Sequence, residues 1–213
     1  MEIDTNVYVK DVYEQIAHRF NQTRGDINKR KTYWKGIQTF IDSLSENSII
    51  LDCGCGNGKH MLLRKDCTFI GFDFCVNNTL ICQNKKLDVV VNDILNISFR
   101  SNTFDSIICV AVIHHLSTIE TRIKSINELY RVTNPGGLIF IQVWATTARN
   151  DKQFIHITDN DYFVTWYIDK TTKVKRYYHL FERDELVELC KICNINILNI
   201  YFELNNWILI GKK

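Results

Sequence analysis

The stretch LDCGCGNGKH, Leu51 to His60, sets three glycines at alternate positions straight after the apolar run Ser48-Ile49-Ile50. Three chemistries compete for it: a metal-binding cysteine pair, a phosphate-cradling loop, or a pocket for another ligand. Asp52-x-Gly54-x-Gly56-x-Gly58 falls where a strand must turn towards a helix. Glycines at such a turn permit positive φ and let a ligand lie against the backbone, while a helix N-terminus offers unpaired amides. A dinucleotide loop would read G-x-G-x-x-G, but here the third glycine comes one residue early and a carboxylate precedes the first. That carboxylate would repel a pyrophosphate and suits an ammonium or sulfonium group. Cys53 and Cys55 have no second pair at zinc spacing, and Cys190-x-x-Cys193 lies in a helical pattern, so no metal site is expected.

Outward from this loop the chain alternates short apolar runs with helical stretches. SIILDC, CTFIGFD, LDVVVND, FDSIICVAV and GGLIFIQVWA read as strands buried on both faces, the pattern of a parallel sheet covered by helices. Helices are expected over Gly58 to Arg64, Val76 to Gln83 and Ile119 to Tyr130, with the turn Asn134-Pro135-Gly136-Gly137 leading into the fifth strand. Residues 145–175 have weak periodicity and read as a loop or insertion. After YYHLF, a helix near Asp184 to Cys193 precedes INILNIYFEL and NWILIGKK, which are close enough to form an antiparallel hairpin. The first 45 residues repeat apolar positions at three- and four-residue spacing, as in Val9, Val12, Tyr13, Ile16, Ala17 and Phe20, then Trp34, Ile37, Phe40, Ile41 and Leu44. The expected fold is therefore an α/β, Rossmann-like, seven-stranded and mostly parallel sheet, with helices on both faces and a C-terminal antiparallel hairpin. One domain over residues 1–213 suffices, the N-terminal helices lying on the substrate side.

Composition is nearly silent on partners, because a net charge of +2 is too small to mark a general polyanion binder. Eight cysteines without an apolar leader in MEIDTNVYVKDVYEQIAHRF read as reduced thiols. No run of about 18 apolar residues suggests a membrane span, and the expected compartment is the cytosol, with the nucleus as a second one.

Two further acids narrow the ligand of the loop. Asp73 ends the second strand nineteen residues after Gly54 (73 − 54), where doubly wound nucleotide folds place an acid on ribose hydroxyls. The third strand ends in Asn92-Asp93-Ile94, a polar and apolar group suited to the edge and face of adenine. Ammonium, ribose and adenine together describe S-adenosylmethionine. At this point the chain resembles the class I S-adenosylmethionine-dependent methyltransferases over residues 48–144, with LDCGCGNG, IGFD, NDI, FDSIICVAVIHHL and NPGGLIFI where that superfamily keeps its ordered motifs. The resemblance implies a cofactor site formed by Tyr13, Asp52, Gly54, Cys55, Gly56, Asp73, Phe74, Asp93, Ile94 and Ala111.

Four flanking segments carry a closer likeness: YVKDVYEQIAHRFNQTR (8–24), VIHHLST (112–118), RYYHLFERDEL (176–186) and NNWILIGKK (205–213). They look like the eukaryotic tRNA methyltransferases that esterify 5-carboxymethyluridine at the wobble position of the anticodon. The likeness implies the product 5-methoxycarbonylmethyluridine and a small zinc-binding activator subunit. Some relatives carry a long Lys-rich insertion before RYYHL, and some have tryptophan where this chain has Leu116.

A carboxylate acceptor is already ionised at neutral pH and needs alignment rather than a general base. Arg24 is expected to anchor that carboxylate or a neighbouring phosphate, and His114 and His115 to orient the acceptor. Trp144, Tyr178 and Trp207 are candidates to stack on the extruded base, with His179 touching the base or a phosphate. The basic clusters Lys29, Arg30, Lys31, Lys35 and Lys170, Lys173, Lys175, Arg176 are either solvated faces or tracks for an RNA stem such as that of the anticodon. Leu87 to Asn92 form a strongly apolar third strand that the usual order puts at a sheet edge, a place for the activator to add a strand. Two other readings remain open at this level: a methyltransferase acting on a small molecule, and a non-catalytic subunit that keeps the fold.

Overall fold

The computed structural model describes residues 4, 6–24, 34–149 and 153–213. Apolar runs form a seven-stranded sheet in the order β3-β2-β1-β4-β5-β10-β9. Its parallel part comprises β1 (Ile49–Cys53), β2 (Thr68–Asp73), β3 (Val89–Val91), β4 (Phe104–Val110) and β5 (Thr133–Trp144). The hairpin expected at the C-terminus closes it, with β10 (Asn206–Lys212) antiparallel to both β5 and β9 (Asn196–Glu203).

Side chains alternate across the sheet and build two cores. On one face Leu51, Cys53, Ile107, Cys109, Ile139 and Ile141 pack against α4 (Ile119–Val132) and α5 (Arg183–Ile192). On the other, Ile50, Ile108 and Phe140 meet Ile37, Phe40 and Ile41 of α2 (Lys35–Asp42) and Cys82 of α3 (Val76–Asn84). The N-terminal helix α1 (Asp11–Arg24) lies against α3. Glu14 fixes it there, since its carboxylate accepts from the Val76 and Asn77 amides at the otherwise unpaired start of α3.

Two expectations are corrected. Residues 145–175, read as loop, hold most of a second sheet: β6 (Phe154–Thr158), β7 (Asp161–Tyr167) and β8 (Lys173–His179), all antiparallel. Asp169 closes the β7–β8 turn by accepting from the Thr171 and Thr172 amides. The helix expected over Gly58 to Arg64 is only a single 3₁₀ turn at His60–Leu62. Gly58 holds φ +71° with Leu87 Cδ1 2.4 Å from where a Cβ would stand, so the loop runs on past it instead of coiling. The basic residues Lys29, Arg30 and Lys31, and Tyr33, lie outside the described residues. No helix among the described residues is long and apolar enough to cross a membrane.

Candidate active site

The ends of β1, β2, β3, β4 and β5, capped by α1 and the second sheet, enclose one cavity of about 250 Å³. At its floor the glycine loop has φ +67° at Gly54 and +54° at Gly56. A Cβ on Gly54 would stand 2.5 Å from Val112 Cγ2, and one on Gly56 would enter nearly open space, its nearest atom a Phe20 ring carbon at 3.9 Å. That opening is where a ligand can lie against the backbone.

Asp73 organises this loop. Its carboxylate accepts from the Gly56 amide at 2.8 Å, the Cys75 amide at 2.9 Å and Asn78 Nδ2 at 3.3 Å. Burial raises its pKa, and the two amides and Asn78 oppose that rise. Two oxygens offer about four acceptor positions, so capacity remains for hydroxyl donors. Asn92 Oδ1 accepts from the Asp93 amide and Ser98, while its buried Nδ2 has no partner among the described residues. Ala111, at the end of β4, is held at φ +61°, a strained conformation of the kind that collects at functional sites.

Gly54, Cys55, Gly56, Asp73, Phe74, Asp93, Ile94, Ala111 and Tyr13 all line the cavity. Asp52 does not, and the expectation that its carboxylate faces the ligand is corrected. It sits behind the loop at 1% exposure, with His60 Nδ1 3.8 Å from Oδ2, an oxygen that has no hydrogen-bond partner among the described residues. Burial pushes its pKa up to about 7, against the pull of Lys59. These features fit S-adenosylmethionine: a loop open to a backbone-hugging chain, an acid with spare acceptor capacity, and an unpaired Asn92 amide beside Ile94.

The opposite half of the cavity is aromatic and cationic. Arg24, His114, His115, Trp144 and Tyr178 line it, together with Trp166 and Arg176. His114 stacks on Tyr178 with ring centroids 4.8 Å apart, and Trp144 lies 4.7 Å from the same ring. The two histidines have different tautomers. His115 Nδ1 lies 2.8 Å from the Tyr177 carbonyl, which only accepts, so Nδ1 carries the proton; Nε2 then accepts from Tyr13 Oη at 3.1 Å. His114 Nδ1 instead accepts from the Trp144 amide at 3.3 Å, leaving Nε2–H as its donor. Burial lowers the pKa of His115 to about 3 and that of His114 well below its usual value, with the neighbouring His115 and Arg176 adding to the effect on His114. Both rings are neutral at physiological pH.

His179 and Trp207 are elsewhere. Along β8 the cavity receives Arg176 and Tyr178, so Tyr177 and His179 point to the other face of the strand. There His179 bridges Asp161 at 2.6 Å and Glu185 at 2.9 Å, Glu185 also pairs with Arg122 at 2.8 Å, and Tyr177 Oη donates to Asp161. This network ties β7 and β8 to α4 and α5, and so holds Tyr178 in place. Trp207 packs on Phe202 and the α4–α5 core from β10. Arg176 was hidden as the last member of a basic run; its two-residue spacing from Tyr178 is the signal that puts it inside.

Among known proteins, a methyltransferase-domain family model matches residues 51–141. The tRNA (carboxymethyluridine(34)-5-O)-methyltransferase of Schizosaccharomyces pombe is 32% identical over the full length of both chains. The chain belongs to the tRNA (carboxymethyluridine(34)-5-O)-methyltransferase family. Another member, alkbh8 of Xenopus tropicalis, is 30% identical over 97% of this chain, which spans 41% of that relative and only 33% of the Arabidopsis thaliana one. A Haloferax volcanii methyltransferase, solved in complex with the Trm112 methyltransferase activator, shares the fold at TM-score 0.72 and 12% identity, over 96% of each chain. Membership of the family agrees with a catalytic domain of the class I type and with S-adenosylmethionine as its cofactor.

Proposed function

We propose that the chain methylates the carboxylate of 5-carboxymethyluridine at the wobble position of tRNA, producing 5-methoxycarbonylmethyluridine. One observation carries the reading: Asp73 and Asp93, the only carboxylates among the described lining residues, belong to the cofactor half, whereas the acceptor half offers rings, donors and guanidiniums. An anionic group on a flat base matches such a wall. The names of the family members point the same way.

S-adenosylmethionine supplies a methyl carbon on a positively charged sulfur, and its transfer to a carboxylate oxygen exchanges an S–C bond for an O–C bond with no proton moved. The residues therefore bind and align. His115 engages both ring nitrogens with the protein, and neither histidine is basic enough to take a proton at neutral pH, in keeping with a reaction that needs no base. His114 Nε2–H serves as a neutral donor to the acceptor, Trp144 and Tyr178 hold the base, and Arg24 holds the carboxylate or a phosphate. A cavity wall of rings excludes water, which favours the neutralisation of nucleophile by sulfonium.

Outside the cavity, Lys173 and Lys175 on β8 are exposed, with Lys175 Nζ 5.9 Å from the Phe163 ring, a basic and aromatic surface suited to an RNA backbone and its bases. We further infer that a small zinc-binding activator adds a strand at the β3 edge, in the cytoplasm. Val90 and Val91 support this, being 43% and 54% exposed on an edge that no strand of the described residues pairs with.

The test uses methyl-labelled S-adenosylmethionine, tRNA bearing 5-carboxymethyluridine, and the chain with its activator, followed by mild alkali. Label released by alkali is expected of an ester. Label that survives alkali is on carbon or nitrogen and overturns the reading.

A further inference from the structure

Arg176 is 5% exposed, yet no carboxylate of the described residues pairs with it. Its terminal nitrogen donates to Tyr13 Oη at 3.1 Å, its buried Nε has no partner among the described residues, and its guanidinium lies 4.8 Å from the Trp166 ring and 5.1 Å from the Tyr178 ring. Guanidinium is charged at every accessible pH, and a buried charge with no counter-ion is costly. A second donor is stranded beside it: Trp166 Nε1 is also buried with no partner among the described residues. Both residues line the acceptor half of the cavity. Two buried donors without partners, one of them charged, on residues that line a space holding no carboxylate of the described residues in its acceptor half, describe an incomplete oxyanion site.

We propose that Arg176, with the Trp166 indole N–H as second donor, is the seat of the acceptor's carboxylate, and that Arg24 at the helix end takes a different anion, the phosphate beside the flipped nucleotide. This rests on the acceptor proposed above. The planar fork of Arg176 is pre-oriented by the rings around it and by Tyr13, which is itself tied to His115, so α1, β8 and the histidine turn set its geometry together. Bidentate pairing of guanidinium with carboxylate would hold one oxygen for attack and leave the plane of the group defined. Arg24 is 5.5 Å from the other guanidinium's partner ring, Trp166, close enough for the two cations to divide a carboxylate and a phosphate between them.

A carboxylate and a phosphate share oxyanion chemistry, and two tRNAs separate them. Equilibrium binding is measured, in S-adenosylhomocysteine, for tRNA bearing 5-carboxymethyluridine and for tRNA bearing its neutral amide, 5-carbamoylmethyluridine. The intact chain with its activator should prefer the acid about ten- to a hundredfold, the range for hydrogen bonds to a charged group. Arg176→Gln should erase most of that preference, and Trp166→Phe, which keeps the ring and removes only the N–H, should narrow it several-fold. Arg24→Gln should weaken both tRNAs alike and leave the ratio intact. S-adenosylhomocysteine binding monitors the fold of each variant, and Trp166→Phe carries the test if Arg176→Gln is misfolded. The proposal is overturned if the intact chain binds acid and amide equally, if Arg176→Gln weakens both equally, as a phosphate contact would, or if both variants keep the full preference. An intact chain that prefers the acid but forms no ester would instead sink the reaction proposed above while sparing this site.

Discussion

Both ring nitrogens of His115 are engaged by the protein, Nδ1–H with the Tyr177 carbonyl and Nε2 with the Tyr13 hydroxyl, whereas its neighbour His114 keeps a donor for the cavity. The sequence put the pair side by side and could not divide their roles, because tautomers depend on partners 62 and 102 residues away. The folded pKa of His115, about 3, lies below its unfolded value near 6.5. Its contribution to stability is therefore whole above about pH 6.5 and is lost as pH falls through that value towards 3. Nitrogen NMR of the ring should show the Nδ1–H tautomer persisting at pH 5; titration near 6.5 would contradict the assignment. Asp52 works in the opposite sense, since a carboxyl raised to about 7 disfavours the folded state as pH climbs from about 4 to 7. Trp144 and Tyr178, singled out in the sequence as stacking candidates, both line the cavity. Arg176 was misread with its basic neighbours and His179 with its aromatic ones, and in both cases period-two alternation along β8 decides which side of the strand is meant.

Among the elements, the five parallel strands were legible because burial on both faces turns each into a short continuous apolar run. β6, β7 and β8 were not, because a small sheet with one wet face mixes Thr, Lys, Asp and His among its aromatics, and no apolar run survives. The error mattered for function, since that sheet supplies Trp166, Arg176 and Tyr178 to the cavity. β3 has only three residues, and its outer edge has no strand of the described residues beside it. Val91→Lys puts a charge on that edge, where it should leave the isolated chain folded, with a stability change within about 0.5 kcal/mol as for other exposed sites. Mixed with the activator, the variant should show co-purification reduced at least tenfold. Undiminished association would place the partner elsewhere.

At the scale of the whole molecule, two sheets and two charge environments meet in one cavity. The seven-stranded sheet supplies the glycine loop, Asp73, Asn92 and Asp93, and the three-stranded sheet with α1 supplies rings and guanidiniums. Neither half alone defines a reaction. The first explains the methyl donor and was readable in LDCGCGNGKH; the second, proposed above to receive the acceptor, depends on contacts between segments more than a hundred residues apart, such as Arg176 with Tyr13. The net charge of +2 gave no hint of the second, because its cations are few and turned inward. The most direct measurement is the mass of the wobble nucleoside after the chain, its activator, S-adenosylmethionine and tRNA bearing 5-carboxymethyluridine are incubated together and the tRNA is digested. The proposed activity requires that the carboxymethyl nucleoside gain one CH₂ unit, and that tRNA with unmodified uridine there gain nothing. Methylation of the unmodified tRNA at any nucleoside, with the carboxymethyl group left untouched, would contradict it.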